Sequence, residues 1–307
     1  MNAFIALFPV FIVILIGYLL RRSRFIEDHH WLGIDQICYY VLFPAIIFKE
    51  IAAADFSRIP VWSMGAAMML AISTMFALLL TARSWLCTVL VMDGPAFTSL
   101  FQGATRWHTF IALALVPIYF GNQAIALVGL SAAAMIPLLN LVNVAVLAHY
   151  ASGRKPSARV VALSVVKNPF VLSSVGGVLY KFTGLPLPGL GYTVLDMVGR
   201  GSLGLALLAV GAGLRLDQAV GTRRPVIAAT ALKLLLMPVL FAGWLWLFGV
   251  TGPVAAIAIL SGSVPTGSGA YVLARQMGGD APLVANILTV QVLCAAVTIP
   301  LIMTIVA

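Results

Sequence analysis

Charged side chains are scarce in this chain. Asp, Glu, Lys and Arg make up 9% of its 307 residues, whereas hydrophobic residues make up 62%, and the mean hydropathy is +1.08. A soluble domain of this length could not bury so much apolar surface. Apolar runs of about 18 residues or more, enough to cross the hydrocarbon core of a bilayer, recur along the whole sequence. The composition therefore predicts an all-α polytopic membrane protein, with the lipid bilayer as a partner.

The sequence also lacks the short motifs of nucleotide and metal chemistry. It contains no Walker A loop, no H-E-x-x-H and no G-x-S-x-G pattern, so nothing in it supports an ATP-driven pump or a soluble-type hydrolase. Its three cysteines, Cys38, Cys87 and Cys294, stand at unrelated spacings in apolar surroundings, as small core hydrophobes do. The run EDHH at 27–30 offers four ligands, but adjacent residues cannot all converge on one ion, and a solvated interface is the favoured interpretation. We therefore expect no metal and no cofactor.

The apolar runs divide into ten segments that could each cross the membrane. The first has no basic residue before it and no A-x-A site after it, which predicts a retained anchor rather than a cleaved signal. The predicted spans are 3–20, 33–53, 60–82, 99–119, 122–149, 161–180, 191–213, 226–247, 252–278 and 282–305. An even number of spans places both ends of the chain on the same side of the membrane.

Lysine and arginine are distributed unevenly between alternate loops. Of the 18 basic residues, three lie in predicted spans, namely Lys167, Arg200 and Lys233, and three lie in one set of loops, namely Lys49, Arg58 and Lys181. The other loops hold the remaining twelve: Arg21, Arg22, Arg24, Arg83, Arg106, Arg154, Lys155, Arg159, Arg215, Arg223, Arg224 and Arg275. Positive residues favour the cytoplasmic side. The loops near 21–32, 83–98, 150–160 and 214–225 are therefore predicted to be cytoplasmic and both termini periplasmic. Charge spread in this way does not indicate nucleic acid as a partner.

Internal similarity suggests that the chain is a duplication. Segments 1 and 6 share a proline with a glycine eight residues later, in PVFIVILIGYLLR and PFVLSSVGGVLYK, and segments 4 and 9 share a proline in LVPIYFG and SVPTGSG. Five spans in each half would invert the second half relative to the first. The sequence thus predicts two inverted five-helix repeats, residues 1–150 and 160–307.

The prolines of segments 4 and 9 are candidates for breaks in membrane helices. A broken backbone at that depth is tolerated only where it lines protein or a watery cavity, and paired breaks hold the site in inverted-repeat transporters. Each break exposes N–H groups at a half-helix N-terminus, which suits an anion. A simple proline kink is the alternative. The candidate binding residues are Ser263, Pro265, Thr266, Gly267, Ser268 and Gly269 in the second half, His108, Thr109 and Pro117 in the first, and Asn286.

Several ionisable and polar residues lie inside the predicted spans, where charge is costly. Asp196 and Arg200 are four residues apart and can pair on one helix face. They form either a structural lock between helices or a functional pair, in which Arg200 attracts an anion or Asp196 carries a coupling proton. His108 either titrates or packs at the interface. Asn286 belongs to a group of amides that form interhelical hydrogen bonds or line a cavity, with Asn140, Asn143 and Gln291.

Four stretches of the sequence resemble helices of the auxin efflux carrier family. LFPVFIVILIGYLLRRSRFI resembles helix 1, ICYYVLFPAIIFKEIA helix 2 and LDMVGRGSLGLALLAVGAGLRL helix 7, and SVPTGSGAYVLARQMGGDAPLVANILTVQVLCAAVTIPLIM resembles helices 9 and 10 together. That family includes plant PIN exporters and bacterial carriers of organic acids. The last stretch, and TSLFQGATRWHTFIALALVPIYFG, are most similar to its bacterial malonate-carrier branch. The resemblance covers nearly the whole chain.

The resemblance implies ten helices, with broken helices 4 and 9 crossing around a substrate carboxylate. It also implies a scaffold of helices 1, 2, 6 and 7 that forms a homodimer, and a transport domain of helices 3–5 and 8–10. Family members usually begin helix 4 with Asn and place Pro about seven residues later. This chain instead has His108 and Thr109 at that start, Leu115 at the seventh position and Pro117 after it. We therefore expect the first-half site to be shifted or remodelled relative to the family's usual one.

Taken together, these features indicate a secondary transporter of small, malonate-like organic anions that works by alternating access in a bacterial inner membrane. A membrane-embedded enzyme or a channel on the same scaffold is the alternative. Coupling to H⁺ or Na⁺ stays open, although no acidic cluster near the breaks suggests a sodium site.

Overall fold

The computed structural model describes residues 3–56, 60–152, 166–215 and 223–306. Regular structure in that part of the chain is helical, without strands, which confirms the all-α prediction. Six of the described helices are long and apolar enough to cross a membrane. A seventh candidate is added if Arg83–Leu90 and Gly94–Phe120, which are bent by 109° relative to each other, are counted as one span. The six are Asp28–Ala53, Val61–Thr81, Asn122–Ala151, Gly189–Ala212, Arg224–Leu247 and Ala281–Val306. Ten crossings stay a prediction.

The described residues before 153 form eight α-helices. A π-helical turn, Cys38–Leu42, connects α2 to α3, and a second, Ala148–Ser152, extends α8. Helix α5 is an addition to the predicted segments. The helices are α1 (Ala3–Arg22), α2 (Asp28–Ile37), α3 (Phe43–Ala53), α4 (Val61–Thr81), α5 (Arg83–Leu90), α6 (Gly94–Thr105), α7 (Thr109–Phe120) and α8 (Ile125–Leu147).

The described residues from 166 onward form eight more α-helices. They are α9 (Pro169–Phe182), α10 (Gly189–Arg200), α11 (Ser202–Ala212), α12 (Arg223–Ala231), α13 (Met237–Leu247), α14 (Gly252–Ser263), α15 (Gly269–Met277) and α16 (Ala281–Val306). The π-helical turn Leu232–Leu236 joins α12 to α13. Each of the ten predicted segments therefore contains helix, and the part of segment 161–180 before residue 166 lies outside the described residues.

Capping side chains fix the starts of two helices that border the candidate site. At the start of α6, Asp93 accepts a hydrogen bond from the Ala96 N–H at 2.8 Å. At the start of α9, Asn168 accepts one from the Phe170 N–H at 2.9 Å. Each cap satisfies a donor that the first helical turn leaves free, and so sets where the helix begins.

Glycines allow the closest helix packing in the fold. A Cβ on Gly17 would overlap the Leu208 carbonyl, and one on Gly211 would overlap the Ile14 carbonyl, so α1 and α11 pack backbone to backbone. Helix α3 packs on α9 and α10, and a Cβ on Gly177 of α9 would lie 3.2 Å from a carbonyl of α3. These five helices form one packed group.

A second group contains α4, α6 and α12 to α16. Helix α4 packs on α13, α13 on α14, and α16 contacts α6, α12 and α14. Helices α7 and α8 lie between the two groups. Helix α7 contacts α1 and α11 of the first group and α14 of the second, and α8 contacts α3 and α9 of the first and α4 and α6 of the second. The candidate site lies along this boundary.

Candidate anion-binding site

The break predicted at Pro265 is present. Helix α14 ends at Ser263 and α15 begins at Gly269, with Val264–Ser268 outside any helix. Proline has no N–H to donate, and its ring clashes with the preceding turn. Pro265 therefore stops α14, and the chain starts a new helix after it.

The matching break in the first half lies at Arg106–His108, between α6 and α7. The prediction of a break at Pro117 is wrong, because Pro117 lies inside α7. Proline removes one backbone hydrogen bond from a helix. That loss is tolerated here because α7 ends at Phe120, where Gly121, with φ of +78°, turns the chain out of the helix. Pro117 thus lies more than two turns from the break.

Side chains from the second half hold the first break open. In an unbroken helix, the Gly103 carbonyl would accept a hydrogen bond from the N–H of Trp107. It accepts instead from the Thr266 hydroxyl and from the Gln291 side-chain amide, both at 2.7 Å. The Gln291 side-chain oxygen also accepts from the Thr266 N–H at 2.9 Å. Residues of the second half therefore occupy the acceptor that would continue α6.

The two breaks are in direct contact. A Cβ on Gly267 would lie 2.7 Å from the Trp107 carbonyl oxygen and 3.6 Å from the His108 Cα. Only glycine, which has no side chain, allows the backbones to approach this closely. Gly267 therefore marks the point where the second break lies against the first.

A cavity of about 460 Å³ lies beside this contact. Its wall is formed by α2, the first break, α8, α9 and the start of α15. It brings together five of the predicted site residues: His108, Thr109, Gly267, Ser268 and Gly269. The N-termini of both half-helices α7 and α15 thus border the cavity, and each carries partial positive charge.

The other predicted site residues do not line this cavity. Pro117, Ser263, Pro265, Thr266 and Asn286 are absent from its wall. Ser263 instead donates to the Ile259 carbonyl at 2.7 Å, and Thr266 borders a smaller cavity of about 60 Å³. The structure therefore gives Ser263 and Thr266 contacts that support the break.

Arg106 supplies a positive charge to the cavity wall. In the sequence analysis it was counted as a loop residue. Its Nη2 donates to the Asn140 side-chain oxygen at 3.1 Å, and its buried Nε has no hydrogen bond. A Cβ on Gly269 would lie 3.3 Å from its Nη1, so the guanidinium faces the N-terminus of α15. No carboxylate pairs with Arg106 within the described ranges. Its place inside predicted span 99–119 was the signal that could have identified it.

Two more polar residues of the cavity were also missed. Asn168 donates to the Tyr39 hydroxyl at 3.0 Å, and both residues line the cavity. Asp35 of α2 borders both the larger and the smaller cavity. Asp35 falls in predicted span 33–53, where an acid is unusual. Aromatic rings complete the wall, namely Tyr39, Tyr40, Trp107, Phe110 and Phe170.

The predicted pair of Asp196 and Arg200 is present, 2.6 Å apart, but away from the cavity. Asp196 also pairs with Lys49 of α3 at 2.8 Å, and Lys49 pairs with Glu50 at 2.8 Å. The assignment of Lys49 to a loop is wrong, because its side chain is only 5% exposed within α3. Because a buried lysine needs a partner, Asp196 links α10 to α3.

The EDHH run forms an exposed cluster. The ligand atoms of Glu27, His29 and His30 all lie within 4.8 Å of one another. Three of the four neighbours thus come together where the chain turns into α2, whereas the fourth, Asp28, pairs with Arg21. All three are exposed, and exposed groups of this kind are common on protein surfaces.

Comparisons with known proteins identify the family. The sequence profile described as "Membrane transport protein" matches residues 2–101 and 154–303, which confirms the auxin efflux carrier resemblance. The chain is 26% identical over 289 residues to a protein of Rhizobium meliloti (strain 1021) named "Putative malonate transporter", covering 88% of this chain and 85% of the relative. It is 21% identical over 295 residues to an "Uncharacterized transporter" of Methanothermobacter thermautotrophicus (strain Delta H), covering 95% and 94% respectively. These names describe transporters, not enzymes.

Proposed function

The chain belongs to the membrane transport protein family, and on that premise we propose that it is a secondary transporter of small organic anions. The substrate carboxylate binds in the cavity beside the two breaks, between Arg106 and the N-terminus of α15. Movement of the helices that carry the breaks then exposes this site to the two sides of the membrane in turn. This is transport by alternating access.

The observation that carries this proposal is the unpaired arginine. Removing a cation from water costs several kcal/mol unless an opposite charge and hydrogen bonds compensate. The Arg106 guanidinium has one hydrogen bond, to Asn140, and no carboxylate partner in the described residues. It also faces a helix N-terminus, which is itself positive. A bound carboxylate would satisfy both groups at once.

Neutral donors complete the proposed site. Ser268 and Gly269 at the start of α15, and Thr109 at the start of α7, border the cavity. Their hydroxyl and N–H groups can bind a carboxylate without adding a charge that would trap it. In this proposal Thr266 and Pro265 keep the second break in shape. Asn286 and Pro117 were proposed as ligands from sequence, and neither lies on the cavity wall.

The proposed architecture is a pair of inverted five-helix repeats, residues 1–150 and 160–307. The breaks of α6–α7 and α14–α15 would be corresponding features of the two repeats. Packing of α1, α3, α9, α10 and α11 as one group supports a scaffold made of spans 1, 2, 6 and 7. Spans 3–5 and 8–10 would move against it, and the scaffold would form the homodimer contact.

The proposed substrate is a malonate-like mono- or dicarboxylate, because one relative carries a malonate name and the cavity holds one unpaired cation. We place the protein in a bacterial inner membrane with both termini periplasmic. The uneven distribution of basic residues between alternate loops supports this orientation.

Uptake of radiolabelled malonate into proteoliposomes tests the proposal. Arg106→Gln should weaken malonate binding by about tenfold to a hundredfold, because a hydrogen bond to a charged group contributes roughly 1.5–3 kcal/mol. Arg275→Gln is the matched control, since Arg275 is exposed on the same half-helix α15 and lies against the Tyr271 ring. Absence of uptake by a folded wild-type protein, or equal binding by both variants, would overturn the proposed site.

A further inference from the structure

Asp35 occupies a distinctive position next to the proposed anion site. It lies on α2, which packs against α11 of the first group of helices. It borders both the larger cavity and the smaller one, and His108 and Ser268 are the other residues that border both. An acid thus lies at the wall between the two cavities, where the breaks meet.

Among the residues that the structure describes, the Asp35 carboxyl has no partner, unlike other acids. Asp28 pairs with Arg21 at 2.7 Å, Asp196 pairs with Lys49, and Asp93 caps α6. For Asp35, by contrast, no hydrogen bond or ion pair of the side chain occurs within the described ranges. A structural role would require a partner, because an isolated carboxylate in an apolar helix bundle is costly. Its exposure to the cavity leaves it free to exchange a proton.

Among the described residues, Arg106 is the one cation that shares a cavity with Asp35. Helix α11 and the turn Cys38–Leu42 pack against α2, and the residues of α11 that border the smaller cavity are apolar. Arg21, at the end of α1, is engaged by Asp28 and by the Ala212 carbonyl. The titratable or charged groups that share a cavity with Asp35 are Tyr39, Tyr40, Arg106 and His108, and Cys38 begins the turn that follows α2.

Counting charges shows what the cavity can carry. With Asp35 ionised and His108 neutral, Asp35 and Arg106 sum to zero in the empty site. An anion that binds Arg106 then leaves one uncompensated negative charge, unless Asp35 is protonated. Net charge is expensive to move through a low-dielectric region. The empty site and the site loaded with one proton and one monovalent anion are therefore the two neutral states.

We propose that Asp35 takes up one proton for each organic anion that binds at Arg106, so that the protein is a proton–anion symporter. This inference rests on the proposed function. The proton adds to a carboxylate oxygen of Asp35, and the substrate carboxylate binds the guanidinium. When the site opens to the other side, loss of that proton restores the Asp35 charge, which repels the anion and favours its release. For divalent malonate, the same proton lowers the net charge of the loaded site from minus two to minus one, so uptake of a proton still favours binding.

Malonate binding to the purified protein, measured by calorimetry from about pH 7 to about pH 9, tests this coupling in a range where free carboxylic acids are ionised. The wild-type affinity should fall about tenfold per pH unit, as expected for one coupled proton. Asp35→Asn, which resembles the protonated side chain, should bind with an affinity that does not change with pH. A pH indicator in weak buffer should report one proton taken up per anion by the wild type and none by Asp35→Asn.

Three further variants make the outcome decisive. Glu27→Gln, an exposed acid just before α2, should keep the wild-type slope, and so should Asp35→Glu, which keeps a carboxyl group. Equal slopes in Asp35→Asn and wild type would overturn the inference while leaving the proposed function intact. The inference would also be overturned if His108→Gln abolished the dependence of affinity on pH. It would be overturned as well if neither the wild type nor Asp35→Glu took up a proton on binding. Absence of malonate binding at every pH would instead overturn the proposed function.

Discussion

The contact between the two breaks predicts that Gly267 cannot carry a side chain. A Cβ there would lie 2.7 Å from the Trp107 carbonyl oxygen, which belongs to the backbone. A comfortable separation of carbon and oxygen requires a shift of roughly half an ångström or more, and no side-chain rotation can supply it. Gly267→Ala must therefore push the breaks apart.

The loss of stability caused by that displacement can be estimated from other overpacked sites. Adding a methyl group to a close-packed site destabilises a protein by about 1–3 kcal/mol, and the same shift would move the start of α15 away from Arg106. We expect Gly267→Ala to lower both the unfolding temperature in detergent and the affinity for malonate. Both can be measured on one preparation, by thermal unfolding with and without malonate.

Gly243→Ala provides the matched control. Gly243 lies in α13, and a Cβ there would meet nothing within 4 Å. Replacing a helical glycine by alanine at such a position should be neutral or stabilise by up to about 1 kcal/mol. If the Gly267→Ala and Gly243→Ala proteins have the same unfolding temperature and the same affinity for malonate, the breaks do not touch as described, and this reasoning is refuted.

Three further predictions concern the supports of the site and the orientation of the chain. Gln291→Leu should lower the free energy of unfolding by about 1–3 kcal/mol for each backbone group left unpaired, whereas Gln123→Leu, at an exposed position, should not; equal thermal unfolding would contradict this. Exchanging Asp196 and Arg200 should lower the unfolding temperature, because the exchange places an arginine against buried Lys49. An unchanged unfolding temperature would show that Lys49 does not depend on Asp196. A reporter enzyme that works only in the cytoplasm should be inactive when fused after the last residue, and activity there would place the C-terminus inside.

The helices and the second break could be predicted from the sequence because their causes are local. Long apolar runs specify helices in a membrane, and Pro265, with Gly267 and Gly269 close behind it, disfavours a continuous helix. A proline alone does not suffice, since Pro117 lies inside α7. The first break has a different cause. Thr266 and Gln291 bond the Gly103 carbonyl from distant parts of the chain. No local pattern near Arg106 encodes that contact, so Pro117 was the wrong choice.

The charged residues of the site were missed for a related reason. Arg106 was counted as a loop charge and Asp35 was overlooked, although both fall inside predicted spans. Which ionisable residues of a span reach a common cavity depends on how α2 and the breaks pack together. Conversely, Asp196 and Arg200 pair as their spacing predicts, but the fold places them away from the cavity and beside Lys49.

Protection of a single cysteine by malonate tests the location of the site most directly. Ser268 is exposed and lines the cavity, so Ser268→Cys, in a protein whose three native cysteines are replaced by alanine, should react with a small maleimide. Ser84→Cys on α5, also exposed, is the control. Binding at the breaks predicts that saturating malonate slows labelling at position 268 and leaves position 84 unchanged. Equal labelling of position 268 with and without malonate, in protein that still takes malonate up, would contradict the account.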